Sequence, residues 1–224
     1  MSGFSTFRGR LLDALGELGM AADAGHADAL LGYLEQLQRW NRAYNLTAIR
    51  NPEDMLVQHL FDSLAVVPVL RARRADRDTR VADMGSGAGL PGIILGICEP
   101  GWQVTCVDAV GKKTAFVRQA AGVLGLANVQ ALHGRIEALE SLQADLVISR
   151  AFASLVDFVG IAARHLAPEG VMWAMKGQYP HDECRALEDS GDWTVKSHIE
   201  LRVPGMSAQR CLLELGLKES HDRR

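Results

Sequence analysis

Apolar positions change their spacing twice along the chain. From about Phe4 to Leu70 they recur at helical intervals. Leu30, Leu31, Leu34, Leu37 and Trp40 form one stripe over 29–40, which predicts a core-facing helix. Asn45-Leu46-Thr47 interrupts the pattern. Asn51 then suits a helix cap, Pro52 the first turn, and Glu53 and Asp54 the positive end of the helix dipole. Leu56, Leu60, Leu64 and Val67 give this helix its buried stripe, and Pro68 should end it. His59, Asp62 and Ser63 are polar exceptions within the stripe. They either cap and pack, or line or brace a ligand pocket.

From Arg80 onward short apolar runs alternate with helical patterns. Strands are predicted at 81–84, 104–107, 129–132, 145–149 and 171–175, and helices at 93–98, 112–124 and 156–166. Phe116, Val117, Ala120 and Leu124 should face inward, and Pro168-Glu169-Gly170 should stop the last helix. Such alternation predicts a parallel sheet with helices on both faces. The end differs: 193–203 and 209–217 alternate apolar and polar around Pro204-Gly205-Met206, which reads as an antiparallel hairpin. The expected division is a helical extension over 1–70 packed on an α/β domain over 71–224.

The first strand runs into Arg80-Val-Ala-Asp-Met-Gly-Ser-Gly-Ala-Gly-Leu-Pro-Gly92, with glycine at 85, 87, 89 and 92. Strand, glycine-rich turn and helix make a nucleotide-binding arrangement. Glycine lets a ligand approach without meeting a Cβ, and the helix N-terminus offers free N–H groups. Gly87 to Gly92 matches the G-x-G-x-x-G dinucleotide pattern. Asp83 before the glycines, placed to hold a cation or order the turn, and Pro91 where the dinucleotide helix would begin, point elsewhere. Asp108, after the second strand, suits the two hydroxyls of a ribose, which NAD and S-adenosylmethionine share.

Composition narrows the class. The 224 residues, 48% apolar, allow one sizeable domain with an extension. No run approaches the ~18 consecutive apolar residues of a membrane span, and MSGFSTFRGR lacks the apolar core of a signal peptide. Cys98, Cys106, Cys184 and Cys211 show no C-x-x-C pairing, so a reduced, cytoplasmic protein is expected, and the seven histidines show no metal spacing. A net charge of −3 argues against indiscriminate coating of nucleic acid but leaves room for a local basic patch. The arginines at 71, 73, 74, 77 and 80 are either a solvated face or a phosphate contact.

Ligands of open parallel sheets bind at the C-terminal strand ends. Those ends carry Gly85 to Leu90, Asp108, Arg135 to Glu137, Arg150 and Lys176, groups far apart in sequence that fall on one rim. A cation directly after an apolar strand needs a partner or solvent, which singles out Arg150 and Lys176.

A parallel sheet finished by an antiparallel hairpin is the layout of class I S-adenosylmethionine-dependent methyltransferases, a Rossmann-like α/β fold. DMGSGAGLPG (83–92), VDAVGKKTAF (107–116), ISRAFASL (148–155), MKG (175–177), NLTAI (45–49) and HLFDSLA (59–65) resemble, in order and over nearly the whole chain, the bacterial small-subunit ribosomal RNA guanine-N7 methyltransferases, first named as glucose-inhibited division protein B. The resemblance implies S-adenosyl-L-methionine as cofactor, 16S rRNA within the small ribosomal subunit as partner, and guanine 527 of the 530 loop as target. It implies that Gly85, Gly87 and Leu90 line the donor pocket, that Asp108 meets the ribose, that Ile136 and Glu137 flank the adenine, and that Arg150 closes the site. Arg135, Lys176 and Arg210 would lie near the RNA, with Arg150 and Lys176 at the reacting base. Ala109-Val110 departs from the serine-leucine common there, which removes one hydroxyl beside the ribose.

The chemistry agrees with this resemblance. Guanine N7 has a lone pair and no hydrogen, so it needs neither a general base nor a protein nucleophile, only alignment at ~3–3.5 Å from the methyl carbon. No cysteine here follows a proline, as a C5-cytosine enzyme requires, and Ser149-Arg150-Ala151-Phe152 stands where an adenine-N6 enzyme has an N-P-P-Y-like segment. Arg150 is suited to the guanine O6, and Phe152 either stacks on the base or packs in the core. An NAD-dependent oxidoreductase and a non-catalytic ribosome-assembly factor stay open as alternatives. A monomer without an obligate protein partner is the default expectation, with no membrane association.

Overall fold

The structure is a computed structural model and describes residues 3–21, 24–74, 78–150, 152 and 154–218. Two helices open the chain, α1 (Arg8–Glu17) and α2 (Ala24–Tyr44). A helical run, α3 (Pro52–Arg73), follows. Asn51 caps α3, its side chain accepting from the Glu53 N–H at 2.8 Å. The run widens into a π-turn over Leu56–Phe61 and turns briefly before Val67. Pro68 does not end it. It lies in the first turn of the Val67–Arg73 segment, where a missing N–H costs nothing. By length and mean hydropathy (1.3) α3 would pass for a membrane span, but 67% of its most apolar window is buried inside the protein. Its apolar character is that of a core helix.

The α/β part runs β1 (Arg80–Met84), α4 (Gly92–Cys98), β2 (Gln103–Asp108), α5 (Gly111–Leu124), β3 (Val129–His133), β4 (Ala144–Ser149), α6 (Leu155–Ala162), β5 (Leu166–Lys176), α7 (His181–Asp189), β6 (Trp193–Glu200) and β7 (Cys211–Leu217). The strands join one sheet in the order β3-β2-β1-β4-β5-β7-β6. β1 to β5 pair in parallel, while β7 is antiparallel to both β5 and β6. The expected α/β class with a closing hairpin is what forms.

Strand residues alternate between two cores, as a sheet buried on both faces requires. Val81, Leu146, Ile148 and Trp173 face the core shared with α1, α2, α3, α4 and α5. Ala82, Val147, Met172 and Ala174 face the core under α6 and α7. The helical extension therefore shares a continuous core with the sheet.

Two expectations for the segment after β4 are corrected. The helix predicted over 156–166 ends at Ala162, and β5 begins at Leu166 rather than 171, taking in Pro168-Glu169-Gly170. The β4–β5 register slips between Ala144 and Leu146, and this irregularity admits them. A Cβ on Gly170 would lie 2.6 Å from the Ala144 carbonyl oxygen, so only glycine fits that approach. Helix α7 had no counterpart in the pattern, because it buries only Cys184 and Leu187.

Candidate active site

The order of the strands reverses between β1 and β4, and that switch point is where open α/β sheets bind ligands. Ser149 ties the two strands there, its hydroxyl donating to the Met84 carbonyl at 2.7 Å. One cavity lies on each side.

The first, of about 360 Å³, sits over β1, β2 and β3 and is lined by Gly85, Asp108, Ala109, Arg135, Ile136, Glu137 and Phe152, among others. Gly85, Gly87 and Gly89 take positive φ (70°, 59° and 80°), a conformation that glycine alone adopts without strain. Two buried carboxylates order the turn. Asp83 accepts from the Gly92 N–H at 2.8 Å, and Asp108 from the Gly87 N–H at 2.9 Å and the Val110 N–H at 2.8 Å. Of the two roles open to Asp83, ordering the turn is thus realised by one oxygen. The other, Oδ1, is buried with no hydrogen-bond partner. Burial pushes the Asp83 carboxyl up to about 7, against the opposing pull of the Gly92 N–H and the Arg150 charge. The loop at Ile136 and Glu137 is held from behind: His165 Nε2 lies 3.0 Å from the Ile136 carbonyl oxygen, and Arg164 donates to that of Glu137 at 2.9 Å.

The second cavity, of about 380 Å³, lies over β4, β5 and β7. Arg150, Lys176 and Arg210 line it together with Ile49, Gln58, His59 and Asp62 from the extension. Asp62 is 3% exposed and holds two of these cations: its Oδ1 accepts from Arg210 Nε at 2.9 Å, and its Oδ2 lies 3.4 Å from Arg150 Nη1. Lys176 donates to Glu183 on α7 at 2.8 Å and to the Phe152 carbonyl at 3.1 Å. His59 Nε2 lies 2.9 Å from the Thr47 hydroxyl. Burial and the nearby Arg150 charge push its ring down to about 4, so it is neutral at physiological pH.

The sequence-predicted residues thus divide between two compartments. Gly85, Asp108, Ile136, Glu137 and Arg135 gather on the first; Arg150, Lys176 and Arg210 gather on the second. Leu90 packs in the apolar core, and Gly87 serves the turn through its bond to Asp108. Phe152 lines the first cavity and packs against Phe158, with ring centroids 5.0 Å apart. Of the polar exceptions in α3, His59 and Asp62 line the second cavity, while Ser63 is fully buried. The described arginines of the run hold partners on the protein surface while staying partly exposed. Arg71 pairs with Glu99 at 2.5 Å, Arg73 with Glu214, Arg80 with Asp145 at 3.3 Å, and Arg74 donates to the Glu169 carbonyl; Arg77 and Ala151 lie outside the described residues. Tyr33 and Glu183 were missed. Tyr33 donates to the Ala88 carbonyl at 2.8 Å, pinning the glycine turn to the extension.

The model of the family described as rRNA small subunit methyltransferase G matches residues 26–213. The chain belongs to that family. Ribosomal RNA small subunit methyltransferase G of Bordetella petrii is 56% identical over 206 residues, covering 92% of this chain and 81% of the relative. That of an Acidovorax species is 46% identical over 219 residues, covering 94% and 96%. The fold is shared with a SAM-dependent methyltransferase from Aquifex aeolicus (TM-score 0.55, 18% identity, 74% of this chain and 93% of that one). It is shared too with one from Geobacter sulfurreducens in complex with S-adenosyl-L-homocysteine (TM-score 0.54, 15% identity, 82% and 98%). The enzyme is a methyltransferase whose methyl donor is S-adenosylmethionine. Its first cavity fits a nucleoside: an acid at the end of β2, an apolar wall of Ile136 and Phe152, and Gly85, with no side chain, at the start of the turn.

Proposed function

We propose that this methyltransferase modifies N7 of a guanine, guanine 527 in the 530 loop of 16S ribosomal RNA, within the small ribosomal subunit. The observation that carries the reading is the pair of cavities flanking the β1/β4 switch point, one shaped for a nucleoside and the other walled by Arg150, Lys176 and Arg210. Bound in the first cavity, S-adenosylmethionine would supply a sulfonium methyl; the N7 lone pair would attack its carbon in line as the C–S bond breaks, and S-adenosylhomocysteine would leave with the bonding pair on sulfur. Gly85, Asp108, Ile136 and Glu137 hold the donor. Arg150 orients the guanine through O6, since guanidinium pairs with that edge. Lys176 stands on the same wall, and Arg210, with the exposed Arg135, meets the RNA backbone.

The electrostatics suit this product. Methylation at N7 leaves the base cationic. Three uncompensated cations around it would oppose the reaction. Asp62 between Arg150 and Arg210, and Glu183 on Lys176, offset that charge while leaving donors for O6 and phosphate. No carboxylate has to remove a proton, because N7 carries none. The protein acts in the cytoplasm, as a monomer.

The test is methyl transfer from labelled S-adenosylmethionine to small subunits taken from a strain lacking this gene, followed by nuclease digestion and mass analysis of the labelled base. A single N7-methylguanine in the 530 loop is expected. Arg150→Ala should abolish the label with an unchanged circular dichroism spectrum. Label on another base overturns the target. Donor binding without transfer overturns catalysis and leaves an assembly factor.

A further inference from the structure

The second cavity continues past Arg210. A smaller groove, of about 140 Å³, shares Gly177, Leu201, Arg210 and Cys211 with it and extends along β6. Its remaining wall is made by Gln178, Tyr179, His198, Glu200 and Gln209. None of these has a part in methyl transfer as derived above.

Two rings line this groove, and a third lies behind them. The Tyr179 centroid lies 4.6 Å from that of His198, and 4.7 Å from that of His181 behind it. Tyr179 packs against the core under α6 and α7, which fixes the cluster to the scaffold. His198 stands exposed on β6, the strand at the end of the sheet, and lines the groove. The rings are inclined, by 54° between Tyr179 and His198 and by 68° between Tyr179 and His181, so Tyr179 braces His198 and the exposed His198 ring offers the surface on which a base can stack. Charge grades along the groove as well. Arg210 stands at the junction with the cavity, and Glu200 lines the groove itself. A carboxylate there opposes a phosphate and accepts from the amino or imino edge of a base. The amides of Gln178 and Gln209 add further donors and acceptors.

We propose that this groove holds the base of the nucleotide next to the target guanine in the RNA strand. The base stacks on His198, which Tyr179 braces, and Arg210 meets the phosphate that joins the two nucleotides. The inference rests on the RNA substrate proposed above. Recognition of unpaired RNA proceeds by splaying bases onto such rings, and stacking tolerates any base because each has a π-face. The groove therefore contributes register and affinity, while the choice of guanine belongs to the deeper cavity.

The experiment compares wild type, His198→Ala, Tyr179→Leu and Tyr179→Phe in steady-state methylation of unmethylated small subunits, with S-adenosylmethionine affinity measured separately. Tyr179→Leu keeps bulk against the core but removes the ring; Tyr179→Phe keeps the ring. His198→Ala and Tyr179→Leu should raise KM for the subunits by roughly five- to a hundredfold, the range of one lost base stack. Their kcat should change by less than about threefold, and the donor affinity should match wild type. Tyr179→Phe should restore KM to within about threefold of wild type. Because His198 is exposed, His198→Ala decides even if Tyr179→Leu fails to fold. An unchanged KM in His198→Ala, with wild type active, overturns the groove alone. A wild-type protein that methylates no subunit overturns the RNA reading, and the groove with it.

Discussion

A single buried carboxylate shows how a residue can be set by its surroundings. Asp83 sits under the glycine turn with one oxygen bonded to the Gly92 N–H and the other unpartnered, and burial raises its carboxyl to about 7. Unfolded, the same group ionises near pH 3.9. Below that value both states are protonated and Asp83 is neutral to stability. As pH rises toward 7 the unfolded chain releases the proton while the folded protein retains it, so stability falls; above 7 the loss is complete. Asp83→Asn removes this titration. The difference in unfolding free energy between the two proteins should shift in favour of the variant by about 2–3 kcal/mol between pH 5 and 7.5. Urea titrations at several pH values read it, and parallel pH curves would refute the assignment. At this scale the sequence was half legible. Arg150 and Lys176 stood out because a cation directly after an apolar strand needs an explanation. Asp62 stood out as an acid within an apolar stripe. That Asp62 answers Arg150, 88 residues away, and that Glu183 answers Lys176, follows only from how helices dock on the sheet.

Elements are set by what lies against them, and two glycines make the point in opposite directions. In α4, a Cβ on Gly96 would fall 2.2 Å from a methyl carbon of Val129 on β3, so the helix lies as close to the sheet as a bare backbone allows. In α5, Gly122 is exposed and a Cβ there meets nothing within 4 Å. Gly96→Ala should destabilise by about 1–3 kcal/mol through overpacking, whereas Gly122→Ala should stabilise by about 0.4–1 kcal/mol by restricting the unfolded chain. Thermal melts of both variants give the signs; two shifts in the same direction would contradict the packing described. This contrast is invisible in the sequence, where both glycines interrupt apolar helices. The strands and long helices were readable because burial on both faces, or on one stripe, imposes a period. Pro168 and α7 were not. A register slip between β4 and β5 accommodates the first, and α7 buries too few side chains to print a pattern.

The extension has a different standing once the whole molecule is considered. Its pattern suggests helices packed on a catalytic domain. In the structure it shares the main core, lines the second cavity and braces the glycine turn beside the first. Beside the first cavity, proposed to hold the donor, the Tyr33 hydroxyl holds the Ala88 carbonyl in the glycine turn at 2.8 Å. At the second cavity, proposed to take the acceptor, Asp62 fixes Arg150 after β4 and Arg210 before β7, joining three distant parts of the chain. These two contacts predict separable defects. Tyr33→Phe leaves a buried carbonyl without its donor, which costs about 1–3 kcal/mol and loosens the turn. Affinity for S-adenosylmethionine should fall several-fold, with KM for small subunits little changed. Asp62→Asn keeps the shape but removes the counter-charge. Arg150 and Arg210 then repel each other at the mouth of the acceptor cavity, so kcat/KM for subunits should fall by about ten- to a hundredfold, the cost of a misaligned reacting pair. Donor affinity should stay within about threefold of wild type, because Asp62 does not line that cavity. Calorimetric titration of the donor and steady-state kinetics on subunits, run on both variants, separate the outcomes. Equal losses of donor affinity and subunit turnover in Asp62→Asn would mean that Arg150 serves the donor as well as the acceptor, and the division of labour between the two cavities would have to be redrawn.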